Sequence, residues 1–298
     1  MNTKGIKYSI FDPTGNITAL VETRVDSEMQ PAVADEIMKI HPDVEQVGFV
    51  YFEPGRPVPA LLRMAGGEFC GNATMSAAAL YAIRSGDEAE SIRVRASGVS
   101  RSLEVRLKRN SEDPSLFDTG VELPEPVSIG KMKFTSEDVT EELPVVDMGG
   151  ISHIIIEKKR QMYSLKDNPN QAERAVKEWC NMLGADCLGV MFVSGSESAS
   201  KSKDMTARET RVGVDMEMET ELIPLVYVPG ADTLFWENSC ASGSAAAGMY
   251  LSDKYGVALE VVMKEPAGTL RVKSDLAKGL TWLYGSTKYI DTFLMDDK

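Results

Sequence analysis

One pattern occurs twice in this chain and constrains its fold more than any other feature. Gly67 to Ala79 reads GEFCGNATMSAAA, and Trp236 to Gly248 reads WENSCASGSAAAG. Each copy places an acidic residue before a cysteine, turns through Gly, Asn or Ser, and continues as an alanine-rich run. Alanine is the strongest helix former, and its small side chain lets a helix pack closely against its neighbours. The repeat therefore predicts two related helices, side by side with their N-termini at one place. A length of 298 residues suits two domains of about 150 residues each, with a cleft between them.

The pattern around the repeat is strand-rich. Ile6 to Phe11 alternates apolar and polar residues, turns at Asp12 to Asn16, and resumes over Ile17 to Val21, which predicts a β-hairpin with Asn16 at the turn. A helix is predicted over Pro31 to Ile40, where Val33, Ile37 and Ile40 share a face, followed by a strand over Val47 to Phe52 with Glu45 just before it. Strand-like runs recur at Ala60 to Met64, Ser91 to Ala96 and Arg101 to Lys108. The stretch from Val121 to Gly130 is expected to interrupt regular structure and mark the domain boundary. Beyond it, strands are predicted at Val145 to Met148, His153 to Glu157, Leu188 to Val193 and Leu222 to Val228, with a helix near Gln171 to Leu183. Ser194 to Lys203 has the composition of a solvated loop or hairpin tip. Met216 to Glu219 alternates as a solvated edge strand would.

Acidic residues outnumber basic ones 45 to 32, a formal charge of −13, and no Lys/Arg-rich run offers the footprint that phosphates require. Nucleic acid is therefore not expected as a partner. No stretch of about 18 apolar residues occurs, and the first residues lack the apolar core of a secretory leader, so a cytoplasmic protein without a membrane partner is expected. Four cysteines are too few to staple a chain of this length, and in a reducing compartment they are thiols. The two histidines, His41 and His153, have no metal-ligand spacing to each other or to a cysteine, so no metal site is expected.

Cys70 and Cys240 stand where a helix begins. The first amides of a helix lack intrahelical partners and carry roughly half a positive charge, which draws anions. A thiol there is expected to ionise below its usual range of about 8.5, and the same amides can hold a carboxylate. Two such termini place two sulfurs on opposite sides of an α-carbon. One thiolate removes the α-proton, fixed amides stabilise the enolate-like charge, and the other thiol reprotonates the opposite face. No organic cofactor or metal is required, and no glycine-rich phosphate loop with a lysine partner points to pyridoxal phosphate. Cys180 and Cys187 lack the polar turn and helix start, and are read as structural; His153 is read as a satisfied structural histidine.

At these residues the sequence resembles the diaminopimelate epimerase superfamily, whose half-sites carry Cys-Gly-Asn and Cys-Gly-Ser/Thr-Gly. Here they are Cys70-Gly71-Asn72 and Cys240-Ala241-Ser242-Gly243. The segments GNITALV (Gly15 to Val21), EQVGF (Glu45 to Phe49), EFCGNATMS (Glu68 to Ser76), PLVYVP (Pro224 to Pro229) and WENSC (Trp236 to Cys240) resemble more specifically the histidine racemases of staphylopine-type metallophore pathways. The resemblance implies an α/β fold of two pseudo-symmetric domains, each a curved mixed or antiparallel sheet around a central helix. One is expected over 1–121 with 282–298, the other over 122–281. It also implies a homodimer, and amides of Gly71, Asn72, Ala241 and Ser242 on the α-carboxylate of an amino-acid substrate.

Two departures matter. Ala241 replaces a glycine and would be strained if that position needs a positive φ. Diaminopimelate epimerases carry a Glu-Arg pair before the second cysteine to grip a distal amino-carboxylate, whereas here the stretch is Pro229 to Thr233, and an uncompensated carboxylate is costly to bury. A side chain such as imidazole fits better, with Glu45 as its acidic partner and Asn16 as a further substrate contact. Diaminopimelate epimerisation and a proton-shifting isomerase are the enzymatic alternatives. A thiol redox or amino-acid-binding protein is the alternative from another class.

Overall fold

The computed structural model describes residues 5–86, 88–195, 200–201, 214–231 and 233–295. In chain order its strands are β1 (Lys7–Asp12), β2 (Thr18–Val21), β3 (Gln46–Phe52), β4 (Ala60–Met64), β5 (Ser91–Ala96), β6 (Leu103–Arg109), β7 (Leu116–Leu123), β8 (Ser128–Ser136) and β9 (Val139–Asp147). They continue as β10 (Ser152–Glu157), β11 (Leu188–Gly195), β12 (Ser200–Lys201), β13 (Met216–Val228), β14 (Thr233–Trp236), β15 (Leu259–Glu265), β16 (Gly268–Asp275) and β17 (Leu280–Leu294). The α-helices are α1 (Gln30–Ile40), α2 (Gly71–Ser85), α3 (Pro169–Leu183) and α4 (Ala241–Tyr255). The chain divides into two compact units, Met1–Glu122 with Tyr284–Lys298, and Leu123–Leu283.

In the first unit each of β1 to β7 pairs with the next, in parallel for β2 with β3 and β4 with β5 and antiparallel elsewhere. β17 then pairs with both β7 and β1, which closes the ring and leaves no free edge. Helix α2 packs on β2 to β6, and every residue from Gly71 to Ala82 is buried. A helix enclosed on all sides needs small or apolar residues all round, which is why its sequence shows no polar stripe. It ends at Gly86, whose φ of 67° completes the last turn. α1 has the ordinary amphipathic form, burying Val33, Ala34 and Ile37 among Tyr8, Val47 and Phe49.

In the second unit the neighbours run β8, β9, β10, β11, β13, β15, β16, with β10 beside β11 and β13 beside β15 in parallel and the rest antiparallel. β14 pairs with the C-terminal part of β13, from Leu225 to Val228. α4 packs on β9, β10, β11, β15 and β16 and is buried from Gly243 to Ser252. α3 buries Ala172, Ala175, Val176, Trp179 and Cys180, the i, i+3, i+4, i+7, i+8 positions of one face, against Phe134, Ile154, Ile156 and Phe192. The Trp179 indole N–H donates to the Thr135 carbonyl at 2.9 Å, so the ring is buried with its polar atom satisfied.

The structure differs from the sequence reading in three places. The 121–130 stretch is not irregular throughout: β7 runs to Leu123 and β8 starts at Ser128, because Pro124 and Pro126 remove ladder donors only where they stand. Met216 to Glu219 is not an edge. It pairs in parallel with β15, Met216 opposite Leu259, while Glu217 and Glu219 stay exposed. Of the 194–203 segment, β11 extends to Gly195 and Ser200–Lys201 forms a short strand with β13; the remainder of that reading lies outside the described residues.

Candidate active site

In the first unit, Cys70 is the N-cap of α2, with extended backbone (φ −132°, ψ 115°). Its sulfur accepts the Ala73 N–H at 3.3 Å, and its thiol donates to Gln46 Oε1 at 2.7 Å. The Cys70 carbonyl accepts from the Thr74 N–H and hydroxyl, fixing the helix start. Gly71 and Asn72 are the first two helical residues, whose amides have no earlier carbonyl within the helix to bond. The parallel pairing of Thr18 with Gln46 brings the hairpin turn beside the start of β3, so that Asn16 Nδ2 donates to Glu45 Oε2 at 2.8 Å. Asn16 is buried and Glu45 exposed. The side-chain carbonyls of Asn16 and Asn72 are both buried with no hydrogen-bond partner among the described residues. A buried acceptor left without a donor costs about 1–3 kcal/mol.

In the second unit, Cys240 is the N-cap of α4 with nearly the same backbone (φ −132°, ψ 99°), but its side chain makes no cap hydrogen bond. Its sulfur lies 3.6 Å from Ser242 Oγ. The Cys240 N–H donates to Glu265 Oε2 at 3.1 Å, and the Ser244 hydroxyl donates to Glu265 Oε1. Ala241 is the first helical residue, and the non-glycine residues with positive φ among those described are Thr14 and Glu137. Alanine is therefore unstrained where the related pattern has glycine. Gly243 leaves room beside the sulfur: a Cβ there would lie 2.2 Å from Met191 Sδ, toward the end of a flexible side chain, and 3.1 Å from Cys240 Sγ.

A helix start was expected to lower the ionisation of both thiols, and at Cys240 the structure reverses that expectation. Burial, followed by the charges of Glu237 and Glu265, pushes the Cys240 thiol well above its ordinary range, with Ser242 opposing weakly. Desolvation and two nearby carboxylates act against the partial charges at the helix end. Glu265 is itself raised by burial to about 7, against the hydrogen bonds it accepts.

Cys180 is buried in the α3 core as read from the sequence, and Cys187 is half-buried before β11. His153 is buried as expected but is not satisfied: neither ring nitrogen has a hydrogen-bond partner among the described residues, and burial pushes its pKa down to about 3, leaving it neutral. Gly189 makes room for it, since a Cβ there would fall 2.3 Å from His153 Nδ1. Sequence reasoning missed Gln46, although it adjoins Glu45. It marked Glu237 only as the acidic residue of the repeat, and it missed Glu265, which stands before the turn joining β15 to β16 with no local pattern to mark it. Among the described residues no group of three or more His, Cys, Asp or Glu is placed to hold a metal ion, and no helix is long and apolar enough to cross a membrane.

The chain is similar to known proteins over most of its length. The chain is 29% identical over 264 residues to a histidine racemase of Fusobacterium nucleatum, covering 87% of this chain and 86% of that one. It is 24% identical over 288 residues to the histidine racemase of Staphylococcus aureus, covering 92% and 90%. Among solved structures, a predicted epimerase from Pseudomonas aeruginosa aligns with a TM-score of 0.63 at 14% identity, covering 98% of this chain and 100% of that one. A hydroxyproline epimerase from Agrobacterium vitis aligns at 0.62 and 9%, covering 99% and 94%; these two show a shared fold. The family model described as the histidine racemase CntK N-terminal domain matches residues 5–207 and again 193–282, and the chain thus belongs to the histidine racemase family.

Proposed function

We propose that this protein is a cofactor-independent amino-acid racemase acting on histidine, in which Cys70 and Cys240 exchange the α-proton as a two-base pair. One sulfur takes the proton as thiolate and the other delivers a proton as thiol. The carboxylate of the planar intermediate is held by the first amides of the two helices, at Gly71, Asn72, Ala241 and Ser242. The observation that carries the reading is that both cysteines cap buried, alanine-rich helices with matching backbone geometry, one in each unit.

The unpartnered carbonyls of Asn16 and Asn72 suit an α-ammonium group, which brings three donors. Glu45, exposed at the start of β3 and steadied by Asn16, offers an acceptor for an imidazole N–H. The stretch from Pro229 to Trp236 contains no arginine or lysine, which disfavours the distal amino-carboxylate of diaminopimelate. A cytoplasmic homodimer that binds neither nucleic acid nor membrane belongs to the same proposal.

The test is α-proton exchange in D₂O followed by NMR, with histidine and diaminopimelate as separate substrates, for the parent protein and for Cys70→Ser and Cys240→Ser. Exchange with histidine is expected, falling by roughly 10²–10⁴-fold in each variant because a serine hydroxyl is a far poorer acid–base group at neutral pH. Exchange with diaminopimelate alone would transfer the assignment to that substrate. No exchange with any amino acid would end the racemase reading.

A further inference from the structure

The two cysteines share a backbone conformation but not an environment. Cys70 accepts its own helix's Ala73 N–H and faces the neutral Gln46 amide. Cys240 makes no such cap, and the amide behind it is tied to a carboxylate reached from another element of the sheet, Glu265 at the end of β15. That carboxylate is buried, and it receives both the Cys240 N–H and the Ser244 hydroxyl. Thr74 occupies the position in α2 that Ser244 occupies in α4, and bonds instead to its own turn, at the Cys70 carbonyl. The first half-site is thus self-capped, whereas the second is anchored by a buried acid.

We propose that Glu265 is a positioning residue for the Cys240 half-site: its carboxylate clamps the start of α4 through Cys240 and Ser244, and when ionised it adds to burial and Glu237 in disfavouring a thiolate on the Cys240 sulfur. The inference rests on the reading that Cys240 is one of the two proton-transfer groups, and it gives that group the acid's part in the resting enzyme. A negative charge close behind a sulfur disfavours a second one on it. The titratable groups facing Cys240 from the elements around α4 are Glu237 in the segment before the helix and Glu265 on β15. On the β10 and β11 side the Met191 thioether comes next to Gly243, with the neutral His153 beyond it. Glu237 acts in the same direction and ahead of Glu265, and its carboxylate is hydrogen-bonded to the Cys240 thiol, so the part played by Glu265 is read with Glu237 kept in place.

Glutamine at 265 separates the charge from the frame. Its carbonyl can accept the Cys240 N–H, and its amide can donate to Ser244 Oγ, since a hydroxyl serves as donor or acceptor. The experiment uses full-length protein labelled with ¹³C at the cysteine Cβ, titrated upward from about pH 6 as far as the protein stays folded, a Cys240 that does not ionise in that range being scored as above its upper limit, with resonances assigned by single Cys→Ser variants. In the parent protein the Cys240 midpoint is expected above that of Cys70. In Glu265→Gln it is expected to fall by at least about one pH unit, the scale of a close charge pair, while Cys70 stays in place. Glu265→Asp, which keeps the charge, is expected to hold Cys240 nearer the parent value than Glu265→Gln does.

An unmoved Cys240 midpoint in Glu265→Gln, or equal movement of both cysteines, overturns the proposal. So does a parent protein in which Cys240 ionises below Cys70, a result that needs no variant to fold. The midpoints are readable even if no amino acid exchanges its α-proton, so failure of this inference and failure of the racemase reading are separate outcomes.

Discussion

Replacing Glu45 by glutamine tests the substrate assignment with little disturbance to the fold. Glu45 is exposed, and the hydrogen bond it accepts from Asn16 Nδ2 at 2.8 Å survives because a glutamine carbonyl accepts it equally well. What changes is the charge offered to the substrate. A hydrogen bond to a charged acceptor contributes about 1.5–3 kcal/mol net and one to a neutral acceptor about 0.5–1.5 kcal/mol, a difference of about 1–1.5 kcal/mol. Solvent screening at an exposed carboxylate places the effect at the lower end, about 1 kcal/mol, or roughly a fivefold loss in kcat/KM for histidine. Because the contact is remote from the α-carbon, it should appear in KM with kcat nearly unchanged. The loss should widen below about pH 6.5, where the free imidazole gains a proton and the contact becomes an ion pair. The assay is the initial rate of L- to D-histidine conversion by polarimetry against substrate concentration at two pH values. An unchanged kcat/KM at both, or a loss confined to kcat, refutes Glu45 as the imidazole's partner.

Two further perturbations probe the frame around the sites. Gly243→Ala puts a Cβ 2.2 Å from Met191 Sδ and 3.1 Å from Cys240 Sγ. Overpacking of about 1–3 kcal/mol is partly offset by about 1 kcal/mol of helix propensity, so the melting temperature should fall by only a few degrees. Activity should fall roughly ten- to a hundredfold through displacement of the sulfur, and a variant of full activity would show that the contact does not position Cys240. Glu22 accepts hydrogen bonds from Arg84, Ser9 and Lys7, and although burial opposes them its carboxyl is held below the usual value of 4.5. A depressed carboxyl stabilises the fold above its unfolded pKa and loses that contribution as pH falls through the folded one. Glu22→Gln should therefore be less stable than the parent at pH 7 by about 1–3 kcal/mol in urea unfolding, with the gap closing as pH drops below about 4.5. A gap independent of pH would contradict the ion-pair account.

Much of the local structure was legible because it rests on local chemistry. The β1–β2 hairpin, α1 and α3 follow from alternation, helical spacing and turn residues, and each appears within a residue or two of its predicted span at most positions. β7, β8 and the strands after α4 were not legible. Residues such as Lys131 and Lys133 mask alternation in β8, and β17 gains its meaning only from partners far away in the chain, such as Lys7 opposite Leu294. Of the site, Cys70 and Cys240 stood out through the repeat, while Gln46 could be found only once β2 and β3 were seen to pair.

The sequence by itself determined that two cysteines sit at the starts of two alanine-rich helices, because helix propensity and capping are decided by a few neighbouring residues. It could not decide what each sulfur faces. Glu265 lies 25 residues beyond Cys240, and only the packing of α4 on β15 brings its carboxylate to the Cys240 amide. Burial then sets the balance of charge there, and burial is a property of the whole fold rather than of any segment. The tertiary structure alone thus made the two chemically similar half-sites unequal, one capped by its own thiol and the other held by a buried acid.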